Sequence, residues 1–304
     1  MNLTDRLLSK YDQIIVYGAK GWFGRSAVNA LVQDFEKARE HQVLLVGSRT
    51  ESSVAANLPM GIYSSKDSIK HVIDNALFIN SAYLRREKLS EMSLEEYESR
   101  NEDIALFPKE LIESGKVKTL INLSSGVASQ GSIEEIDRVQ DPYAKGKIRD
   151  EHSFSSSCGT NGTQFINCRI FSMSGRFLNE FKNLALSAFI QQASANEHTI
   201  EVNSPSTKRT YIDSIDLVRV LLELSLREGN FSIDSGGSIT SLGELANAVA
   251  DSYPAVKVES PELFDPSPDY FGDYESFNTL AEELGIPLKG LNEQIAETKK
   301  AFIS

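Results

Sequence analysis

One stretch near the N-terminus constrains the fold more than any other. Ile14-Ile15-Val16-Tyr17, an apolar run of strand type, leads directly into Gly18-Ala19-Lys20-Gly21-Trp22-Phe23-Gly24. Phe23, Ala27, Leu31 and Phe35 then recur every fourth residue, the buried stripe of a helix. In a strand–turn–helix of this kind each glycine has its own reason. The first makes a tight turn, the second lets the backbone approach a pyrophosphate, and the third lets the helix pack closely on the strand. The helix start then turns its N–H groups and dipole toward the anion. The spacing is G-x-x-G-x-x-G rather than G-x-G-x-x-G, and the plain alternative is an ordinary strand–helix turn. Gly18, Gly21 and Gly24, with Trp22 and Phe23 between them, are therefore candidate dinucleotide-binding residues.

The rest of the chain continues the alternation. Short Val- and Ile-rich runs predict strands at Val43–Val46, Leu77–Asn80, Leu120–Leu123, Gln164–Phe171 and Phe231–Asp234, and a long charged helix is predicted from Leu94 to Glu113. That order implies an α/β fold, a Rossmann-type doubly wound parallel sheet. After Phe171 the pattern changes to a helix at Asn183–Ala193 and a short extended piece, before TKRTYIDSIDL returns to the core. From Pro254 onward, with Pro261, Pro266 and Pro268 close together, the chain reads as loop, and its last stretch as helix. The expected organisation is a dinucleotide-binding domain of residues 1–173 that also receives about 210–237. Residues 174–209 and 238–304 form a smaller C-terminal substrate lobe.

Composition narrows the function classes. A formal net charge of −12 without a basic stripe argues against nucleic acid. Cys158 and Cys168 stand in no metal or redox spacing, and His41, His71, His152 and His198 are scattered, so no metal site is expected. No apolar run is long enough to span a bilayer, and the first residues lack a signal-peptide core. The expectation is a soluble, cytoplasmic protein with no membrane partner.

Two further segments carry chemistry. The second strand ends in Gly47-Ser48-Arg49-Thr50, where an acidic residue would accept from a ribose 2′-OH. Arg49 instead suits a 2′-phosphate, which favours NADP over NAD, although Glu51 stands nearby, and Ser48 is a further candidate cofactor-binding residue. Ile121-Asn122-Leu123-Ser124-Ser125-Gly126 places two hydroxyls at the C-terminal edge of a strand, where open parallel sheets bind ligands. Beyond it, Asp141-Pro142-Tyr143-Ala144-Lys145-Gly146-Lys147 contains Tyr-x-x-x-Lys. On a helix those two side chains share a face. An ammonium one turn from a phenol stabilises the phenolate and makes the tyrosine a usable proton donor and acceptor. Ser125, with Ser124 as the alternative, can hold the same substrate oxygen.

In this order, a glycine turn, a serine strand and a Tyr143–Lys147 pair, the chain resembles an extended short-chain dehydrogenase/reductase of the NAD-dependent epimerase/dehydratase family. Phe78-Ile79-Asn80-Ser81-Ala82 is similar to the family's strand ending in His-x-Ala-Ala, with Asn80-Ser81 a departure. Tyr97-Glu98-Ser99-Arg100-Asn101 resembles the segment whose asparagine supports the active-site helix. Arg169-Ile170-Phe171-Ser172-Met173-Ser174-Gly175 resembles R-x-x-N-x-x-G beside nicotinamide and sugar, with Ser172 replacing the usual Asn. Arg209-Thr210-Tyr211-Ile212-Asp213-Ser214-Ile215-Asp216 resembles R-D-F-x-H-V-D-D, whose arginine binds a nucleotide-sugar diphosphate.

The resemblance implies hydride transfer between nicotinamide and a sugar carbon. Tyr143 moves the hydroxyl proton, Lys147 also reaches the nicotinamide ribose, and Ser81, Ala82 and Asn101 join the cofactor site. Ser125, Ser172 and Arg209 contact a nucleotide-sugar substrate. The family's dehydratases carry Thr-Asp-Glu at the serine position, whereas Gly126 and Val127 follow Ser125 here. Epimerase or 4-keto reductase chemistry remains, with a homodimer as the expected assembly. The alternatives are a small-molecule carbonyl reductase and a non-catalytic dinucleotide sensor.

Overall fold

The computed structural model describes residues 2–32, 42–178, 184–195, 199–260 and 267–302. Phe35, His41, Asn183, His198, Pro261 and Pro266 lie outside the described residues. The chain divides into two compact units, Met1–Arg169 with Leu221–Ile233, and Ile170–Val220 with Asp234–Ser304.

The first unit opens with α1 (Leu3–Lys10), β1 (Gln13–Tyr17), α2 (Trp22–Val32) and β2 (Val43–Gly47). It goes on through α3 (Ser53–Ala56), β3 (Ile62–Ser64), α4 (Ser65–Ser68), β4 (Ala76–Asn80), α5 (Leu94–Glu113), β5 (Val117–Ser125), α6 (Pro142–Asn161) and β6 (Gln164–Ile170). Within the second unit follow β7 (Met173–Ser174), α7 (Ala185–Ser194), β8 (Thr199–Glu201) and β9 (Lys208–Asp213). Helix α8 (Ser214–Leu224) and strand β10 (Phe231–Asp234) carry the chain through the first unit's last segment. The remaining elements are β11 (Ser238–Ser241), α9 (Leu242–Ala250), β12 (Lys257–Glu259), α10 (Tyr274–Glu283) and α11 (Leu291–Lys299).

Seven strands form the main parallel sheet, in the order β10-β6-β5-β4-β1-β2-β3. Central strands read as continuous apolar runs because helices cover both faces of such a sheet. All five residues of β1 are buried, and so are all five of β4. In register, Ile15 pairs with Leu44 on one side and Phe78 on the other. On one face Tyr17 meets Phe78 and Phe107 edge-on, and those two rings are tilted to each other, with centroids 5.2–6.1 Å apart. Phe154 of α6 and Leu111 of α5 fill the same cluster. At the other end of the sheet, the Tyr11 hydroxyl donates to Ser225 O at 2.6 Å and lies 2.9 Å from Thr119 Oγ1.

The second unit contains a three-stranded sheet, β11-β9-β7, and a parallel β8–β12 pair. Segment 208–213 is thus the middle strand of the small sheet rather than a strand of the seven-stranded one. The stretch after Pro254 is not wholly loop, since Lys257–Glu259 pairs with Thr199–Glu201. Helices α7, α9 and α11 bury Phe189, Ile190, Leu245, Val249 and Ile295 against Ile200 and Tyr211. Asp213 and Asp216 are buried and share the Lys289 ammonium at 3.0 and 2.6 Å.

Candidate active site

The glycine turn shows three separate constraints. Gly18 has φ +85°, the left-handed region, and a Cβ there would lie 2.8 Å from both Ala82 N and Ser81 Oγ. A Cβ on Gly24 would collide with Gly18 O and sit 2.7 Å from Ala19 Cα, so α2 packs directly on the turn. Gly21 differs. Its Cβ would meet only Gly18 O, at 3.2 Å, which leaves the outer side of the turn open among the described residues. Helix α2 starts beside it with no acidic residue in its first turn. The Trp22 indole N–H is buried without a hydrogen-bond partner. Open backbone, a helix N-terminus and an unused donor fit the pyrophosphate of a dinucleotide. Phe23 is buried behind the turn. Ser81, one residue past β4, donates its hydroxyl to Tyr17 O at 2.7 Å.

At the end of β2, Ser48 and Arg49 are exposed. Arg49 does not stand alone. Its Nε donates to Glu51 at 2.6 Å, and Lys20 from the glycine turn donates to the same carboxylate at 2.9 Å. Arg49 and Lys20 hold the Glu51 carboxyl below its usual range. Glu51 was visible in the sequence beside Arg49, whereas Lys20, from the glycine turn, was not.

Tyr143 and Lys147 lie on α6, whose start is set locally. Asp141 caps it by accepting from Tyr143 N at 3.1 Å, and Pro142 occupies the first turn, where its missing N–H costs nothing. Lys147 is buried, and its ammonium donates to Leu123 O at 3.1 Å. Burial pushes it down to about 8, against the charges of Asp150 and Glu151. Burial likewise pushes Asp150 up to about 6, opposed by Lys147 and Lys109. The Lys147 Nζ is 6.0 Å from the centre of the Tyr143 ring, and the Arg86 guanidinium 5.5 Å from the same ring.

The two serines at the end of β5 separate. Adjacent strand residues face opposite ways. Ser124 is buried beside the Glu151 carboxyl, whereas Ser125, the last residue of β5, is half-buried.

Beneath this edge runs a polar chain that the motif reading did not find. Asn80 Nδ2 donates to Asn122 Oδ1 at 3.0 Å, and Asn122 Nδ2 to Asn167 Oδ1 at 2.8 Å, across three neighbouring strands. Asn167 reaches Glu151, whose carboxylate takes a two-pronged contact from Arg169 at 2.7 and 2.9 Å. Burial works to raise the Glu151 carboxyl, but Arg169, Ser124 and Asn167 hold it below its usual range. A signal was present: Ile79-Asn80, Ile121-Asn122 and Ile166-Asn167 place the same dipeptide in three predicted strands. Asn101 uses its amide within the protein, accepting from Leu84 N at 2.9 Å and donating to Tyr97 O at 3.1 Å. It fastens the loop after β4.

Ser172 and Arg209 belong to the second unit. The Ser172 carbonyl accepts from Ile212 N at 3.2 Å. Arg209 pairs with neither Asp213 nor Asp216, since both carboxylates are held by Lys289. Arg209 Nη1 instead donates to Pro268 O at 2.7 Å, and the guanidinium stands 5.6 Å from the Tyr270 ring. Among the described residues Arg209 has no carboxylate partner. No cluster of metal-ligating side chains and no helix long and apolar enough to cross a membrane occurs among them either.

Solved structures share this fold across nearly the whole chain. The UDP-N-acetylglucosamine 4-epimerase of Methanobrevibacter ruminantium M1 is 18% identical, with TM-score 0.73 over 97% of this chain and 99% of its own. The UDP-glucose 4-epimerase of Thermus thermophilus, in complex with NAD, is 18% identical, with TM-score 0.70 over 96% and 99%. The UDP-glucose 4-epimerase of Thermotoga maritima, with UDP-glucose, is 18% identical, with TM-score 0.72 over 96% and 98%. No curated protein matches the chain. The model of the NAD dependent epimerase/dehydratase family matches residues 14–231, well over half of the sequence. The chain belongs to the NAD-dependent epimerase/dehydratase family.

Proposed function

We propose that this protein is a nicotinamide-dinucleotide oxidoreductase of the extended short-chain dehydrogenase type, acting on a nucleotide sugar as epimerase or 4-keto reductase. The observation that carries the reading is the buried Lys147 ammonium on the same helix as Tyr143, opposite the serine-bearing end of β5. When bound, the nicotinamide gives or takes the hydride. The chain's own groups do the rest. Tyr143 moves the proton of the reacting hydroxyl, and Lys147 favours its phenolate by charge. Ser125 holds the reacting oxygen, since Ser124 is buried and Ser125 only half-buried. Gly18, Gly21, Gly24 and the start of α2 cradle the pyrophosphate, with Trp22, Phe23, Ser48, Ser81 and Ala82 around the dinucleotide. Asn101 acts on that site through the loop it fastens.

Two positive charges, Lys20 and Arg49, against one carboxylate favour NADP at the adenosine ribose. NAD is the second reading, favoured by Glu51, which can accept from a 2′-OH. Ser172 and Arg209 belong to the substrate lobe, and the Arg209 fork suits a diphosphate. That residue separates the reading from a generic carbonyl reductase. Water elimination lacks a carboxyl group beside Ser125, which leaves epimerisation or reduction.

The test is a panel of UDP-sugars and UDP-4-keto-sugars with NAD(H) and NADP(H). Turnover of at least one, abolished by Tyr143→Phe with dinucleotide affinity unchanged, is expected. Full activity in Tyr143→Phe removes the proton-transfer assignment, and failure of UDP to bind removes the nucleotide-sugar assignment.

A further inference from the structure

The loop after β4 brings a second aromatic group to the tyrosine–lysine pair. Tyr83 follows directly on the segment Phe78–Ala82. Its ring centre is 3.8 Å from the Lys147 Nζ, far closer than that of Tyr143. The two tyrosine rings meet edge to face, 5.6 Å apart at 80°. On α6, a Cβ on Gly146 would overlap the Tyr83 hydroxyl and lie 3.3 Å from its Cζ. The loop is fixed behind Tyr83, because Asn101 and the Tyr97 hydroxyl both bind the Leu84 backbone.

We infer that Tyr83 is a positioning residue of the site, its ring and the Leu123 carbonyl together holding the Lys147 ammonium within reach of Tyr143, with Gly146 leaving room for the Tyr83 hydroxyl. An ammonium has three donors. One is taken by Leu123 O and one faces the π-cloud of Tyr83, which leaves the third for the cofactor or the phenol. The ring also excludes water. Tyr143, Asp150 and Glu151 face Lys147 from its own helix, Tyr83 from the loop, and the Leu123 carbonyl from β5. Lys109 of α5 acts on Asp150, and Arg149 on Tyr83. The carboxylates favour the charge and burial opposes it; burial prevails. Removing the ring admits water, so the ammonium returns toward the ordinary lysine range.

This inference rests on the tyrosine–lysine reading of the site, yet it is tested without turnover. The lysines are labelled with 13C and 15N, and the Lys147 side-chain signal is assigned by its loss in Lys147→Arg and followed with pH. Wild type and Tyr83→Phe are expected to titrate together, and Tyr83→Ala to titrate higher by about one pH unit or more. Gly146→Ala displaces Tyr83 and is expected to shift the titration in the same direction. The double variant Gly146→Ala/Tyr83→Phe removes the clashing hydroxyl and returns it toward wild type. That rescue decides the matter should Tyr83→Ala fail to fold. A Lys147 titration unmoved in Tyr83→Ala and Gly146→Ala, or no rescue by Tyr83→Phe, overturns the inference. If the titrations behave as expected while Tyr143→Phe and Lys147→Met keep full turnover, the catalytic reading fails and the clasp on Lys147 stands.

Discussion

Gly21 and Gly24 stand one turn apart, yet substitution by alanine should affect different properties. In Gly24→Ala the new methyl meets three backbone atoms, with Ala19 Cα at 2.7 Å and Gly18 C at 2.8 Å alongside Gly18 O. Carbon atoms pack at about 3.5–4.0 Å, so turn and helix must part by roughly 1 Å. Overpacking of that kind costs about 1–3 kcal/mol, and alanine's helix preference returns about 1 kcal/mol. The net expectation is a loss of up to about 2 kcal/mol in urea unfolding. In Gly21→Ala the methyl needs only a few tenths of an ångström from Gly18 O, and stability should stay within about 0.5 kcal/mol. Its methyl points to the open side, where an anion must then withdraw from the backbone N–H groups. Losing one charge-assisted hydrogen bond costs about 1.5–3 kcal/mol, roughly ten- to hundred-fold in dinucleotide affinity. Trp22 is the single tryptophan of the chain and adjoins the turn, so its fluorescence reports binding directly. Full affinity in Gly21→Ala would refute the placement of the pyrophosphate at this turn.

Arg209→Ala should raise the apparent KM for a UDP-sugar strongly and abolish competitive inhibition by UDP, with dinucleotide binding unchanged; an unaltered KM returns Arg209 to a structural role. Glu51→Gln removes the carboxylate shared by Lys20 and Arg49, so the NADPH-to-NADH affinity ratio should rise, and Arg49→Asp should lower it; both are read by fluorescence titration, and an unmoved ratio in both detaches this corner from cofactor choice. Lys147 titrates at about 8 when folded, against an ordinary lysine value of 10.5, so below pH 8 both folded and unfolded states are charged and the burial penalty is complete. It is relieved as pH rises from 8 to 10.5, because the unfolded chain then holds more protons. Lys147→Met should therefore stabilise the protein at pH 7 by about 3 kcal/mol and flatten this rise, measured by urea unfolding across pH; no gain at pH 7 would contradict the burial argument.

Legibility followed the range of the physics. Strands β1, β2, β4, β5 and β6 announce themselves as apolar runs because they are covered on both sides, and the glycine turn and helix α6 carry their own local signals in Gly18, Gly24, Asp141 and Pro142. Strand β3 was missed because it has three residues, Ile62–Ser64, too few for a period. Strand β12 was hidden by the prolines around it and exists through its partner β8. Tyr83 looks like any loop aromatic until folding lays it against Gly146 and Lys147. Arg49 and Glu51 were visible, but that Lys20 shares the Glu51 carboxylate with Arg49 depends on how two loops meet. Ser124 and Ser125 are equivalent as letters and are told apart only by which of them the fold buries.

The three asparagines of the sheet have a common polarity. The amide N–H groups of Asn80 and Asn122 point along the same direction, from Asn80 to Asn122 to Asn167, and Asn167 acts in turn on the Glu151 carboxylate. An anion at one end of a row of amides draws every N–H toward itself, and neighbouring dipoles reinforce one another in a low-dielectric interior. The opposite end of the row is therefore an oxygen made more electron-rich than that of an isolated amide. That oxygen is Asn80 Oδ1, buried and without a hydrogen-bond partner at the C-terminal end of β4. A single carboxylate on α6 thus fixes the electrostatic sign presented two strands away, and neutralising it as Glu151→Gln would free all three amides to reverse together.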